Sequence, residues 1–233
     1  VSAPAPKKRV AILISGRGSN MVSLIEAARS PDYPAEIVLV LSNRPDAAGL
    51  DRARAAGIPA RAIDHKAFPD RARFDAALQA ELDEAGIELI VLAGFMRILT
   101  DAFVEAWGGR MINIHPSLLP LFKGTHTHER ALDAGVRLHG CTVHYVVPEL
   151  DAGPIVAQAA VPVLPGDDAD TLSARVIVQE HRLYPAALAL IAGGGACWKA
   201  AACASRRRRA TPEPRSSRSE PIFMGQLQPS TSS

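Results

Sequence analysis

Between residues 10 and 163 the apolar positions alternate between two rhythms. Short, nearly continuous apolar runs at 10–15, 36–41, 60–64 and 88–93, each bounded by Gly, Pro, Asn or Asp, predict four strands. Between them, 19–29, 47–56 and 70–85 carry apolar residues at three- and four-residue spacing, which predicts one-faced helices. Strand alternating with helix implies a parallel sheet wound by right-handed crossovers. A short helix over 102–107 leads into a fifth strand at 111–114. The pattern then changes: 141–147 and 155–163 are β-rich runs separated by the turn-rich PELDAGP, which predicts an antiparallel pair. A last helix is expected over 171–191, with a kink or break at Pro185, because proline removes a donor and its ring crowds the preceding turn. The expected class is α/β, a doubly wound and mainly parallel sheet with an antiparallel C-terminal strand pair.

A chain of 233 residues suits one well-buried domain of this kind with a tail. The expected division is an N-terminal extension over 1–8, a domain over 9–193 and a tail over 194–233. The tail loses apolar periodicity and turns to Ser, Pro and Arg, including four arginines at 206–209, so it cannot offset its ordering entropy and is expected to be disordered. The net charge of +2 is near balance and its excess cations lie in that tail, which argues against a nucleic-acid surface on the globular part. Three cysteines without a CxxC pair fit a reducing compartment. The apolar run after Lys7 and Lys8 is too short for a signal sequence or a membrane span, so a soluble, cytoplasmic protein without membrane contact is expected.

Candidate chemistry sits where strands end. LISGRGSN, residues 13–20, follows a strand and opens a helix. Gly16 and Gly18 allow close backbone approach, and the helix start with Ser19 and Asn20 offers donors for an anion such as a phosphate. The plainer alternative is a tight turn with Ser19 as N-cap. INIHPSLLP, residues 112–120, places Asn113 and His115 on one face of the fifth strand and Ile112 and Ile114 on the other, which makes one side a pocket wall and the other core. In doubly wound sheets ligands bind beyond the carboxyl ends of the strands, where these two side chains would lie. ELDAGP supplies Asp151 on a turn, from which it could pair with His115 and hold an imidazolium. His126 is a further candidate for the site, His128 and His139 read as structural, and His144 reads equally as pocket or packed residue. HTH at 126–128 does not complete a zinc-like ligand set, so no metal is expected.

These residues, together with VLAGFMRIL at 91–99, GTHTHERAL at 124–132, HGCTVHYV at 139–146 and QEHRLYP at 179–185, resemble the glycinamide ribonucleotide formyltransferases, in order and over about 9–193. The resemblance implies a Rossmann-like formyltransferase fold and transfer of a formyl group from 10-formyltetrahydrofolate, a co-substrate, to the amine of glycinamide ribonucleotide in purine synthesis. It implies Asn113, His115 and Asp151 as catalytic residues. Gly18, Ser19, Asn20 and Glu180 would bind the ribonucleotide. Arg71, Met96, Arg97, Ile98, Leu99 and Asn113 would line the folate pocket. It implies small-molecule partners only, in a monomer or homodimer. The tail and the Phe122–Lys123 pair depart from the family's pattern. The related methionyl-tRNA formyltransferases and formyltetrahydrofolate hydrolases would each be expected to carry an added domain. A binding-only sensor would have no need of Asn113, His115 and Asp151 together.

Overall fold

A computed structural model describes residues 6–196 and 198. Seven strands form one sheet in the order β3-β2-β1-β4-β5-β6-β7: β1 Lys8–Ile14, β2 Ala35–Ser42, β3 Ala60–Ala62, β4 Leu89–Leu92, β5 Met111–His115, β6 Leu138–Tyr145 and β7 Ile155–Pro162. The first five are parallel, and β6 and β7 complete the sheet antiparallel. The helices are α1 Ser19–Ala28, α2 Gly49–Ala55, α3 Arg71–Glu84, α4 Asp101–Ala106, α5 Thr127–Asp133 and α6 Ala169–Ala192. Every strand and helix expected from the sequence is present. β1 begins at Lys8, two residues before the apolar run and inside the expected extension. Among the described residues no helix is long and apolar enough to cross a membrane.

Side-chain alternation sorts the core onto the two faces. Val10, Ile12 and Ile14 join Leu89 and Val91 on the face covered by α1, α2 and α6, while Ala11, Leu13, Ile90 and Leu92 pack against Phe74, Leu78 and Leu82 of α3. The register between β1 and β2 shifts after Val10, where Ile37 is followed by Leu39 as the next partner. The extra residue, Val38, turns the alternation over, so Leu39 and Leu41 face α3 and Val40 faces the other side.

The expected break at Pro185 is corrected: α6 runs unbroken from Ala169 to Ala192 with the proline inside. Its buried stripe recurs every four residues, at Leu172, Val176, Glu180, Tyr184 and Leu188, against α1 and β6. Packing of that stripe outweighs the cost of one lost helical hydrogen bond, about 3 kcal/mol. Within the expected tail, Trp198 packs edge-to-face on Tyr145 with ring centroids 5.1 Å apart. The rest of the tail beyond Ala196 lies outside the described residues.

Candidate active site

The end of β5 carries the centre of the site. Ile112 and Ile114 enter the core, while Asn113 and the nearly buried His115 face the other way. Because β6 runs antiparallel, its His144 lies beside Asn113 and its Thr142 beside His115. The chain then turns through 146–154 and returns as β7, and that turn delivers Asp151 in a left-handed conformation with φ 49°. Asp151 Oδ2 stands 3.4 Å from His115 Nδ1, and its Oδ1 stands 3.7 Å from His144 Nε2. The same Oδ2 accepts the Gly124 N–H at 2.8 Å. Three residues separated widely in sequence, Asn113, His115 and Asp151, therefore meet at one point.

Of the two roles open to His144 from its place in the sequence, pocket residue and packed residue, the geometry gives it both. It is 2 % exposed, and its Nδ1 lies 2.9 Å from the Tyr145 carbonyl, which requires the proton on Nδ1. Nε2 is then an acceptor, and the Asn113 amide donates to it at 3.3 Å. Burial pushes the His144 pKa down, which preserves that neutral form. The amide orientation of Asn113 is thereby fixed, with its second N–H left for another acceptor.

The segment after β5 folds over the site. Thr142 Oγ1 donates to the Ser117 carbonyl at 2.6 Å and accepts the Leu119 N–H at 3.0 Å, and Gln158 donates to the Leu119 carbonyl at 3.0 Å. His115 Nε2 lies 2.9 Å from the Phe122 carbonyl, so both of its ring nitrogens face oxygen acceptors. Phe122 and His126 share with Asp151 a positive φ, three non-glycine residues in a costly conformation around one site. His126 itself is exposed, caps α5 and lies 3.4 Å from Glu129.

Gly153 is required by close approach. A Cβ there would overlap the Tyr145 carbonyl oxygen, the group that also receives His144 Nδ1. Gly153→Ala is expected to push the 146–154 turn off β6 and move Asp151, lowering turnover by tens of fold, since a misplacement of about 1 Å can cost about 100-fold. Full activity in that variant would show that the turn tolerates displacement.

At the start of α1 the N-cap is Gly18, left-handed with φ 70°, and no side chain caps the helix. Ser19 is thus the first helical residue rather than the cap, and the first-turn N–H groups point outward from a bare helix start. Gly18 touches the start of α2, where a Cβ would crowd Gly49. Asn20 is buried, its Nδ2 donates to Glu180 Oε2 at 2.7 Å, and its Oδ1 is buried without a hydrogen-bond partner. Burial raises the Glu180 pKa, partly offset by the Asn20 hydrogen bond. The four residues expected at the ribonucleotide thus fall together, Gly18, Ser19 and Asn20 at the helix start and Glu180 against them.

The remaining expected residues surround the segment 94–100. Arg97 belongs to this loop, not to a helix, and its guanidinium lies 4.5 Å over the Phe74 ring. Met96 and Ile98 are 72 % and 66 % exposed, whereas the Leu99 side chain is buried in the core beneath α3. Arg71 is exposed in the first turn of that helix. Ser15, Asn43 and His65 line a cavity of about 420 Å³ with Gly16, Arg44, Gly94 and Met96; sequence reading passed over all three.

His128 and His139 lie under the loop, with Nδ1 and Nε2 3.2 Å apart and the His139 ring edge-on to Phe122. Burial, then the neighbouring His128, pushes His139 down to about 4, and burial also lowers His128. An unfolded chain protonates these rings near 6.5 while the folded protein resists. The stability they contribute is fully present above pH 6.5 and is lost as pH falls through their folded values, by about 1.4 kcal/mol per pH unit for each ring that stays neutral. Glu180, whose folded value is raised, works in the opposite sense and offsets part of the loss. The urea midpoint is expected to fall between pH 6.5 and 4, less steeply in His139→Asn; equal slopes in both proteins would remove His139 as a cause.

The sequence profile of the formyl transferase family matches residues 8–188. Phosphoribosylglycinamide formyltransferase of Escherichia coli (strain K12) is 46% identical over 185 residues, covering 79% of this chain and 87% of that one. The trifunctional purine biosynthetic protein adenosine-3 of Homo sapiens is 54% identical over 188 residues, 81% of this chain but 19% of the larger protein. The chain therefore spans about a fifth of the length of such trifunctional relatives. The crystal structure of phosphoribosylglycinamide formyltransferase from Brucella melitensis superimposes with a TM-score of 0.77 at 55% identity, covering 80% of this chain and 96% of that one.

Proposed function

The chain belongs to the formyl transferase family, and from that membership we propose that it transfers the formyl group of 10-formyltetrahydrofolate to the amine of 5'-phosphoribosylglycinamide, giving formylglycinamide ribonucleotide and tetrahydrofolate in purine synthesis. The observation that carries this reading is the meeting of Asn113, His115 and Asp151 at the end of β5.

Attack of the amine on the formyl carbon turns the formyl oxygen into an oxyanion. Asn113 donates to it with the N–H that His144 does not occupy, and His115 donates with Nε2. The Phe122 carbonyl, 2.9 Å from Nε2, holds the acceptor position that the substrate oxygen takes over. His115 next supplies a proton to the departing folate nitrogen, and Asp151 holds the imidazolium and takes the excess proton of the amine, directly or through water. No covalent intermediate on the protein is needed. The first turn of α1 binds the phosphate through its N–H groups with Ser19, and Glu180 binds the ribose or glycinamide end. Arg71, Met96, Arg97 and Ile98, with the backbone at Leu99, form the folate side.

A formyl-transfer assay with 10-formyltetrahydrofolate, with and without glycinamide ribonucleotide, tests the reading by following tetrahydrofolate release. Release that requires the ribonucleotide is expected. Equal release in its absence would make the protein a hydrolase, and none in either condition would leave a binding protein.

A further inference from the structure

The segment 94–100 joins β4 to α4 and carries two large apolar side chains, Met96 and Ile98, that are 72 % and 66 % exposed. Apolar groups so placed gain by collapsing onto the protein, so something must hold the backbone that displays them. Both ends of the segment are tied to buried polar side chains. At the first, Ser15 sits just past β1: its N–H donates to the Gly94 carbonyl at 3.1 Å and its hydroxyl accepts the Met96 N–H at 2.7 Å. The Ser15 hydroxyl proton goes in turn to Asn43 Oδ1 at 2.5 Å. The Asn43 backbone is held in turn, since His65 Nδ1 donates to its main-chain carbonyl at 2.7 Å. At the second end, Asp75 of α3 accepts from both the N–H and the hydroxyl of Thr100 at 2.7 Å. Ser15 and Asp75 are 5 % and 4 % exposed, and the Ser15 hydroxyl is committed to the Met96 N–H and Asn43 Oδ1.

We propose that Ser15 and Asp75 are positioning residues which hold the 94–100 segment, from its two ends, in the shape that receives the folate ring system. The proposal rests on the reading of this segment as the folate side of the site. A buried hydroxyl that accepts one backbone N–H and donates to an amide oxygen has both bonds committed, and with the Ser15 N–H on the Gly94 carbonyl it holds both Gly94 and Met96 against the end of β1. Asp75 sets where the segment must end by joining Thr100, the N-cap of α4, to α3. Between the two anchors Met96 and Ile98 stay in water until a flat ligand covers them.

The test compares wild type, Ser15→Ala, Asp75→Asn and Asp75→Ala by KM for each substrate, kcat and thermal midpoint. Tetrahydrofolate binding is followed separately by tryptophan fluorescence. Ser15→Ala is expected to raise the folate KM and weaken tetrahydrofolate binding by about tenfold, the effect of losing the one Ser15 side-chain hydrogen bond that reaches the segment, with the ribonucleotide KM and saturating kcat within about twofold. Asp75→Asn keeps one acceptor oxygen for Thr100 and should fall between wild type and Asp75→Ala. Should Asp75→Ala fail to fold, Ser15→Ala and Asp75→Asn carry the comparison. A lowered thermal midpoint with unchanged folate KM and binding would overturn the proposal, because the clamps would then serve stability alone. So would equal rises in both KM values. Wild type that binds tetrahydrofolate but shows no ribonucleotide-dependent transfer would overturn the proposed function while leaving the binding comparison to decide the clamp; wild type that does not bind it would overturn both.

Discussion

Replacing His115 with alanine should yield a folded protein whose kcat for formyl transfer is lower by roughly three orders of magnitude. The side chain is nearly buried, yet its two ring nitrogens are spent on polar partners, the Phe122 carbonyl at 2.9 Å and Asp151 at 3.4 Å, and not on core packing. Its loss leaves the Ile112 and Ile114 side of β5 untouched. On the proposed mechanism it removes one donor to the developing oxyanion and the acid for the departing nitrogen, contributions that act through one imidazole, are not independent and together reach about 1000-fold. The check is single-turnover transfer with both substrates saturating, alongside a melting curve. Turnover within about tenfold of wild type would take His115 out of the reaction.

Asp151→Asn should depress kcat by roughly two to three orders of magnitude while both KM values change little. Asparagine preserves the shape and can still accept the Gly124 N–H that Asp151 holds at 2.8 Å. What it lacks is the negative charge facing His115 and His144 and the capacity to take up a proton from the amine. The distinguishing measurement is kcat for this variant at several pH values. If Asp151 acts as the proton acceptor, kcat stays low even at high pH, where free amine is abundant; recovery to the wild-type rate there would reduce its role to holding the imidazole in place.

The element order was legible because each strand and helix carries its own periodicity, and the end of β5 was legible because Asn113 and His115 interrupt an apolar run at a spacing of two. Pairing of His115 with Asp151 was a possibility that spacing could not settle, since it depends on β6 reversing direction and on the 146–154 turn folding back over β5. His144 lay in a strand whose alternation gave it the same standing as Thr142, and only the register beside Asn113 distinguishes it. Glu180 did leave a sequence signal, a carboxylate at the middle of an apolar stripe spaced by four in α6. Ser15 and Asn43 left almost none, being short polar residues after apolar strands, where turns commonly carry such residues. Pro185 misled in the opposite direction: local chemistry argued for a break, and the packing of a long buried stripe overrode it.

The antiparallel step from β5 to β6 has a consequence for how such a site can change over time. The geometry of the candidate site is stored as register, Asn113 beside His144 and His115 beside Thr142, and register is a whole-number quantity. The connection between those strands, residues 116–137, can lengthen, shorten or exchange side chains while the pairing persists. Loss of one residue within β6 would turn every subsequent side chain to the opposite face, exchanging His144 for an apolar neighbour in a single step. Where a strand does take an extra residue, as β2 does at Val38, the alternation beyond it turns over, so a change of length in β6 ahead of His144 would reset the site in one step unless a second bulge restored the register.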